Sequence, residues 1–517
     1  MKRLISCKNS IWIVFCVFTL VYYLCFIFRT AVWVNNRYYF CLFDDAMISM
    51  SYAKNLVEGY GLNWAKFGDP VEGYTNPLWT FLMIPLHILP IPVYYTSLVF
   101  QLFSAALLFA CFRYMFLIVR YLNPDLEQWM IALPILFTAF FYPLVNWSLY
   151  GMETSLSLLF GLISIYHSFK FKELQQWKDL RNIAVVGSLS VFLRYDLIII
   201  PFLGCVYLAP ELIKKYKQLF MCVLIVVLPN LVYLIFRYFY FEDWLPNTYY
   251  LKMTGMESSD RIKRGWEVFY SGFHTFRIPF LICVGYIVYR KDLKLLYILS
   301  FWILYSIYAI YVGGDAWEYT FMDGYNRFQS VALPMLFIVL SIVILDLINF
   351  LQSRIQNFKP LKYLLFIAFS WFFITDFNHL TKLPSNNFNW RRALLLERPM
   401  HMTEHDVVVN NVLKMNRVAG AEDKVAVVWA GIPGYFGNFQ LVDVLGYNDK
   451  FIAKQPNNPE AMKWYQFYYP GHMKWDYNYT LNQLKPKYVL HFWSPNHDEL
   501  VRNFPYVRKD FYWERTQ

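Results

Sequence analysis

Charge is scarce in this chain: only 16% of its 517 residues are Asp, Glu, Lys or Arg, against about a quarter in an ordinary globular protein. At about 150 residues per domain the length would suit three soluble domains. The shortage of charge, with 58% hydrophobic residues and a mean hydropathy of +0.32, excludes a soluble multi-domain enzyme and a disordered chain. The eight cysteines form no Cys-x-x-Cys pair, and none follows Cys283. That excludes a disulfide framework and a structural zinc site. There is no Gly-x-Gly-x-x-Gly phosphate loop, no internal repeat and no low-complexity tract.

What the chain has in plenty is long apolar runs. The first, Ile11–Val34, follows Lys2, Arg3 and Lys8. It is too long for a signal-peptide core and has no small-residue cleavage site, so it reads as a retained transmembrane helix with a cytoplasmic N-terminus. Further candidates are Val93–Arg120, Trp129–Trp147, Glu153–Phe171, Leu219–Phe241, Phe273–Val288, Leu295–Val312, Phe328–Phe350 and Leu361–Phe377. Ile183–Leu193 and Leu197–Leu208 flank Arg194-Tyr195-Asp196 as a hairpin with a charged tip. The expected total is about eleven crossings at roughly 20 residues each.

The net charge of +11 fits this picture, because basic residues collect in cytoplasmic loops and need no nucleic-acid partner. Lys170, Lys172, Lys178 and Arg181, then Lys214, Lys215 and Lys217, then Arg290, Lys291 and Lys294, then Arg354, Lys359 and Lys362 all fall on the side of the N-terminus. This holds only if Pro77–Leu89, a short run bounded by prolines, is re-entrant or interfacial. The outer face then receives Asn35–Asn76, the turn at Gly151-Met152-Glu153, Glu242–Gly272, Gly313–Arg327 and the tail after Asn378.

The tail is more polar, and its apolar runs shorten to strand length. Thr403-Glu404-His405-Asp406 opens a helix through Met415 with a capping-box pattern. Val425–Trp429, Leu441–Leu445 and Tyr488–Phe492 read as strands, and Ala430–Gly434 as a turn. The expected organisation is an α-helical polytopic membrane domain over 1–378, with an outer catalytic loop at 35–76, and a small extracytoplasmic α/β domain over 379–517.

The chemistry concentrates outside the first helix. Asp44 and Asp45 are adjacent carboxylates opening an amphipathic helix that carries Met47, Met50 and Leu56, expected to lie on the membrane face. The bland reading is that both acids favour a helix N-terminus. The same loop continues as Val71-Glu72-Gly73-Tyr74-Thr75-Asn76-Pro77-Leu78-Trp79. An aromatic-rich short helix beside two carboxylates suits a substrate with a polar head and a lipid tail.

Asp44-Asp45 with Tyr52-Ala53 resembles the C-type (GT-C) superfamily of polytopic glycosyltransferases that use lipid-phosphate sugars. The longer set resembles the branch containing the mycobacterial terminal arabinofuranosyltransferase. It runs through the 71–79 segment, Gly151-Met152-Glu153-Thr154, Leu193-Arg194-Tyr195-Asp196, Leu245-Pro246-Asn247-Thr248-Tyr249-Tyr250, Gly313-Gly314-Asp315, Arg327-Phe328, Val442-Asp443-Val444-Leu445-Gly446 and Gly471-His472. These segments span nearly the whole chain in order.

The resemblance implies transfer of a sugar from a polyprenyl-phosphate donor to a hydroxyl of a cell-envelope glycan, glycolipid or glycoprotein, at the outer face of a bacterial inner membrane. An acceptor hydroxyl needs a base, for which Asp44 or Asp45 is the candidate. Two adjacent carboxylates are equally a ligand pair for one divalent cation. The leaving phosphate needs positioned cations, for which Arg194, Lys252 and Arg327 are candidates. Glu72, Tyr74, Asn76, Glu153, Asn247, Tyr249 and Asp315 are candidate substrate contacts. His472 and Asp443 read as structural. The rival readings are a transporter or flippase of lipid-linked sugars, which would place ionisable groups at mid-membrane depth, and a scaffold for envelope assembly, which has no use for this charge set.

The topology is checked by cysteine-accessibility labelling. Ser385→Cys and Lys215→Cys are expected to label from opposite sides of the membrane; labelling of both from one side would overturn the assignment.

Overall fold

The computed structural model describes residues 7–316, 327–355, 358, 360–378, 390–400, 402–465, 468–493 and 502–516. Lys2, Arg3, Lys359, most of the Gly313–Arg327 loop and the first part of the tail lie outside the described residues. Helix α1 (Cys7–Phe28) leads into a hairpin, β1 (Ala31–Val34) with β2 (Arg37–Phe40), and then α2 (Asp44–Val57) and α3 (Pro77–Ile88). The helical body follows: α4 (Val93–Leu122), α5 (Ala132–Ala139), α6 (Tyr142–Leu149), α7 (Thr154–Leu174), α8 (Trp177–Leu193), a 3₁₀ turn at Tyr195–Ile198, α9 (Ile199–Tyr207), α10 (Ala209–Lys214), α11 (Tyr216–Phe241), α12 (Asn247–Met253), α13 (Ser258–Arg290), α14 (Leu293–Tyr311), α15 (Arg327–Arg354) and α16 (Leu361–Phe377).

Five of these, α4, α11, α13, α14 and α15, are long and apolar enough to cross a membrane by themselves. Helix α15 is the buried centre of the bundle and α11 lies at its edge. Lipid tails provide no hydrophobic drive between helices, so close interdigitation must hold them. Phe337 stacks on Phe377 with ring centroids 4.8 Å apart, and Phe276 meets Phe377 at 5.0 Å.

The run expected as one crossing at Trp129–Trp147 is built of two helices, α5 and α6, bent by 61° at a short break. Pro143 in the first turn of α6 cannot supply an N–H to a continuous helix. The backbone groups released at the break still need partners in an apolar setting. Asn378, at the end of α16, supplies both: its Nδ2 donates to the Phe140 carbonyl at 2.7 Å, and its Oδ1 accepts from the Tyr142 N–H at 2.7 Å. Helix α3 has 12 residues, about 18 Å at 1.5 Å per residue, well short of a roughly 30 Å hydrocarbon core.

A second expectation is corrected at α2. It is a helix, but almost every residue from Asp44 to Asn55 is buried. It is an internal element and not an amphipathic helix on the membrane face, because the tail covers it. The tail contains α17 (Trp390–Ala393), α18 (Met402–Met415), β3 (Lys424–Val427), α19 (Gly431–Phe436), β4 (Gln440–Asp443), α20 (Lys450–Lys454), α21 (Pro459–Tyr465), a π-turn at Asn478–Gln483, β5 (Tyr488–Val489), β6 (Tyr506–Arg508) and β7 (Trp513–Arg515). The strands form one sheet in the order β4-β3-β5-β7-β6, with the first two pairings parallel and the rest antiparallel. Val409, Val412 and Ile432 belong to the same apolar core as Met47 and Trp147.

The segment Ala430–Gly434 was expected as a turn and is the start of α19. Its N-terminal N–H groups are satisfied from far away in sequence. The Asp44 carboxylate accepts from Ala430 (3.1 Å), Gly431 (3.1 Å) and Ile432 (2.8 Å). Gly431 is required by this approach, since a Cβ there would lie 1.8 Å from the Asp44 carbonyl oxygen. Lys54, one face further along α2, donates to the Tyr435 carbonyl at 2.8 Å.

The 71–76 segment of the loop, which has no regular structure, is held by a buried ion pair. Arg237 of α11 grips both carboxylate oxygens of Glu72, and Tyr233 donates to Glu72 Oε1 at 2.7 Å. Both charged side chains are at most 2% exposed. Removing one partner strands the other charge, which costs roughly 3–5 kcal/mol. Arg237→Met is therefore expected to lower the thermal-unfolding midpoint in detergent, and Arg237→Met combined with Glu72→Leu to recover part of the loss. A single variant as stable as wild type would show that the pair does not hold the loop.

Candidate functional site

Seven stretches of chain converge at one end of the helical body. Helix α2 supplies Asp45, Ile48 and Ser49; the loop before α3 supplies Gly73–Asn76; the turn before α7 supplies Met152 and Glu153. The tip between α8 and the 3₁₀ turn supplies Arg194, α12 supplies Thr248 and Lys252, the start of α15 supplies Arg327, and the tail supplies Tyr447. They enclose a polar cavity of about 40 Å³, room for water but far below the several hundred Å³ of a small-molecule pocket.

Two chains of opposite charges frame it. In the first, Arg194 lies between Glu153 (2.6 Å) and Asp196 (2.9 Å). Glu153 also accepts from Asn76 Nδ2 at 2.9 Å, and Asn76 Oδ1 accepts from Ser49 at 2.9 Å. In the second, Arg327 lies between Asp45 (3.2 Å) and Asp315 (2.7 Å). Both guanidinium groups sit over the Phe328 ring, at 5.0 and 5.4 Å. Asp315 is set by its backbone: Arg264 donates to the carbonyls of Gly313 and Asp315, the latter at 2.8 Å, and Arg261 to that of Tyr311 at 2.9 Å. Gly313 and Gly314 both have positive φ (87° and 74°), which glycine adopts without steric cost.

Lys252 differs from the two arginines. Among the described residues no carboxylate pairs with its ammonium and no hydrogen bond is made by it. It lies 5.3 Å from the centre of the Tyr447 ring. Desolvation lowers its pKa, and Asp45 pulls in the opposite direction. An ammonium short of water and of a counter-ion is a site for an anion.

The expected residues therefore separate. Asp45, Tyr74, Asn76, Glu153, Arg194, Lys252 and Arg327 line the cavity, and Asp315 holds Arg327 beside it. Asp44 does not line it: successive residues of a helix face different ways, and this carboxylate is spent on the α19 N–H groups. Burial pushes its pKa up to about 7, against the pull of those three N–H groups. The two aspartates consequently do not share a ligand position for a divalent cation. Among the described residues no three His, Cys, Asp or Glu side chains gather as a metal site.

Glu72 is committed to Arg237 and Tyr233 and is not a cavity residue. Asn247 is not one either. Its Nδ2 donates to the carbonyls of Gly446 (2.8 Å), Tyr447 (2.9 Å) and Asp449 (3.3 Å), and so fixes the loop that carries Tyr447. Tyr249 points away and is 41% exposed.

Tyr447, Ser49, Thr248 and Met152 were not read from the sequence as cavity residues. Tyr447 had an indirect signal, since it follows the Asp443–Gly446 motif. Asp443 accepts from the N–H groups of Leu445 (2.9 Å), Gly446 (3.0 Å) and Asn448 (2.7 Å), which winds the loop so that Tyr447 faces the cavity. His472 packs against Tyr447 with ring centroids 6.1 Å apart, and burial lowers its pKa to about 4, leaving the ring neutral at pH 7.

Residues 400–515 match a family described as a domain of unknown function, DUF8728. No curated protein matches the chain in sequence. Among solved structures it is similar to ArnT from Cupriavidus metallidurans bound to undecaprenyl phosphate, with a TM-score of 0.56 and 10% identity over 98% of both chains. The apo state of the same protein matches with the same score and identity, over 98% of this chain and 97% of the other. At 10% identity the likeness is one of fold: the chain has an ArnT-like, GT-C-type polytopic architecture carrying a small sheet domain.

Proposed function

We propose that this chain is a membrane glycosyltransferase that moves a sugar from a polyprenyl-phosphate donor to an acceptor hydroxyl at the membrane face carrying Asp45. The observation that carries the reading is that a partly exposed carboxylate, Asp45, and the ammonium of Lys252, which no carboxylate pairs among the described residues, line one cavity at the helix ends. The ArnT-like fold supports it, since that relative was solved with undecaprenyl phosphate bound. A transporter of lipid-linked sugars is disfavoured because the charges cluster at helix ends and not at mid-depth.

In the proposed step the acceptor hydroxyl gives its proton to Asp45 and its oxygen attacks the anomeric carbon. The bond from that carbon to the phosphate oxygen breaks, and polyprenyl phosphate leaves with the electron pair. Lys252, with Arg194 and Arg327, meets the charge that develops on the leaving phosphate. A donor phosphate drawn to Arg327 would compete with Asp45 for the guanidinium and so free the carboxylate to act as base. Binding a sugar phosphate requires the cavity walls to part, and the tail loop holding Tyr447 is one of those walls.

Glu153, Asn76, Tyr74 and Asp315 order the cations and contact sugar hydroxyls. The donor unit is a hexosyl or pentosyl group, and the resemblance of the ordered motifs to the arabinofuranosyltransferase branch is what supports a pentosyl unit. The acceptor is a cell-envelope glycan, glycolipid or glycoprotein, and the proposed setting is a bacterial inner membrane with a cytoplasmic N-terminus and the tail outside.

Membrane vesicles given a radiolabelled polyprenyl-phosphate sugar are expected to yield free polyprenyl phosphate and a labelled acceptor; intact donor carried across the membrane would favour a transporter instead. In single-turnover transfer with saturating donor, Asp45→Asn is expected to slow the reaction by roughly two to four orders of magnitude, the usual contribution of a positioned base. Asp44→Asn should remain closer to wild type in rate while losing thermal stability. Arg194→Lys keeps the charge but not the two-point fork, so it should outperform Arg194→Ala. A wild-type rate for a folded Asp45→Asn protein would remove Asp45 as the base.

A further inference from the structure

A second polar cavity lies at the opposite end of the helical body. Glu153 borders the first site, and α7 runs from Thr154 to Leu174. Lys172, near its far end, is thus roughly 27 Å along the helix axis at 1.5 Å per residue, about one hydrocarbon thickness away. There Lys172 and Tyr207, from the ends of α7 and α9, face the tight turn between α13 and α14. That turn contributes Arg290, Lys291, Asp292 and Lys294 to a cavity of about 740 Å³.

The cations of this cavity are poorly neutralised. The Asp292 carboxylate caps α14, accepting from the N–H groups of Lys294 (2.8 Å) and Leu295 (3.2 Å). Glu211 approaches Lys172 only to 3.8 Å. Among the described residues Arg290, Lys291 and Lys294 have no carboxylate partner. Instead two of the ammonium groups lie over aromatic faces: Lys172 Nζ is 4.3 Å from the Tyr207 ring centre and Lys294 Nζ 5.0 Å from that of Tyr121. The Tyr207 ring is itself stacked on Tyr297 at 4.1 Å. Basic loops on one membrane face are ordinary, but here cations from three helices converge on one concavity whose position is set by packing.

The surroundings say what kind of anion fits. Next to the cations, Val288 (69% exposed), Tyr289 (84%) and Leu293 (67%) present apolar side chains outward. On a helix that crosses a membrane these residues face acyl chains. A ligand that satisfies both halves has a phosphate for Lys172, Arg290, Lys291 and Lys294 and two chains for the adjoining apolar surface. Basic pockets between transmembrane helices are suited to phospholipid headgroups in this way.

We propose that this cavity binds the phosphate headgroup of an anionic phospholipid, in the leaflet opposite the candidate active site. That is the cytoplasmic leaflet on the topology expected from the loop charges. The proposal stands on this cavity alone and does not depend on the transferase reading.

The test measures binding of fluorescent phosphatidylglycerol to the full-length protein in detergent, with phosphatidylcholine and inorganic phosphate as comparison arms. Arg290→Gln/Lys291→Gln/Lys294→Gln is expected to raise the phosphatidylglycerol Kd by roughly a hundredfold, the loss of three near-surface cations. The charge-retaining variant Arg290→Lys/Lys291→Arg/Lys294→Arg should bind within a few-fold of wild type. Arg194→Ala, at the other face, should leave the Kd unchanged. If it does not, the lipid occupies the first cavity and the proposal fails. The proposal also fails if the neutral variant binds as wild type does, if phosphatidylcholine binds the wild type equally well, or if millimolar inorganic phosphate displaces the lipid. Should the triple variant not fold, Lys294→Gln in native mass spectra serves instead. Retention of phosphatidylglycerol over phosphatidylcholine is expected to fall relative to wild type, and unchanged retention overturns the assignment.

Discussion

The carboxylate of Asp44 is the joint on which the arrangement rests. It comes from the first helix after the N-terminal apolar run, yet it accepts three N–H groups of a helix 386 to 388 residues away in sequence. A buried helix N-terminus needs acceptors, and a buried carboxylate needs donors. Each meets the need of the other. Because α2 is thereby pinned beneath the tail, its next residue, Asp45, is aimed at the cavity. Adjacent acids in one sequence motif thus do unlike work: one ties two parts of the chain together and the other faces the site.

The site itself is organised as alternating charge. Arginines from two places, Arg194 and Arg327, are each bracketed by two acids. Such alternation sets each buried charge beside its opposite, which offsets part of the cost of taking it out of water. It also leaves Lys252 as the cavity's cation that no carboxylate pairs among the described residues, beside the Tyr447 ring. The tail supplies that ring, through a loop shaped by Asp443 and clamped by Asn247. The family of unknown function that covers the tail is in this chain a wall of the cavity, and not an appendage separate from it.

Breaks in regular structure are repaired by specific side chains throughout. Asn378 replaces the lost helix bonds at the α5–α6 bend. Arg264 takes up the carbonyls of Gly313 and Asp315 at their turn, and Arg261 that of Tyr311 just before it. Arg237 neutralises Glu72. In each case a polar residue buried near a membrane face is spent on the fold. Buried charge is therefore not by itself a mark of the site, and it takes the partner list to separate Glu72 from Glu153.

The sequence alone determined the class of architecture. Long apolar runs can be buried only in a bilayer or a helical bundle, and the order of Asp44-Asp45, Glu153, Arg194, Lys252 and Arg327 marked which loops carry charge at one face. Short-range pattern also located the tail helix at Met402–Met415 and the strands near Val425, Leu441 and Tyr488. Tertiary structure decided the rest. The 430–434 segment has turn composition and becomes helical because Asp44 arrives as a distant acceptor. The helix after Asp44 has an amphipathic pattern and is buried because the tail covers it. Trp129–Trp147 has the length of one crossing and breaks because Asn378 can satisfy the exposed backbone. Asp44, Glu72 and Asn247 have the composition of site residues and serve as ties, while Tyr447 joins the cavity without a motif of its own. Hydropathy and spacing record what a segment can do locally. Which hydrogen-bond partner reaches it from hundreds of residues away is a property of the folded chain only.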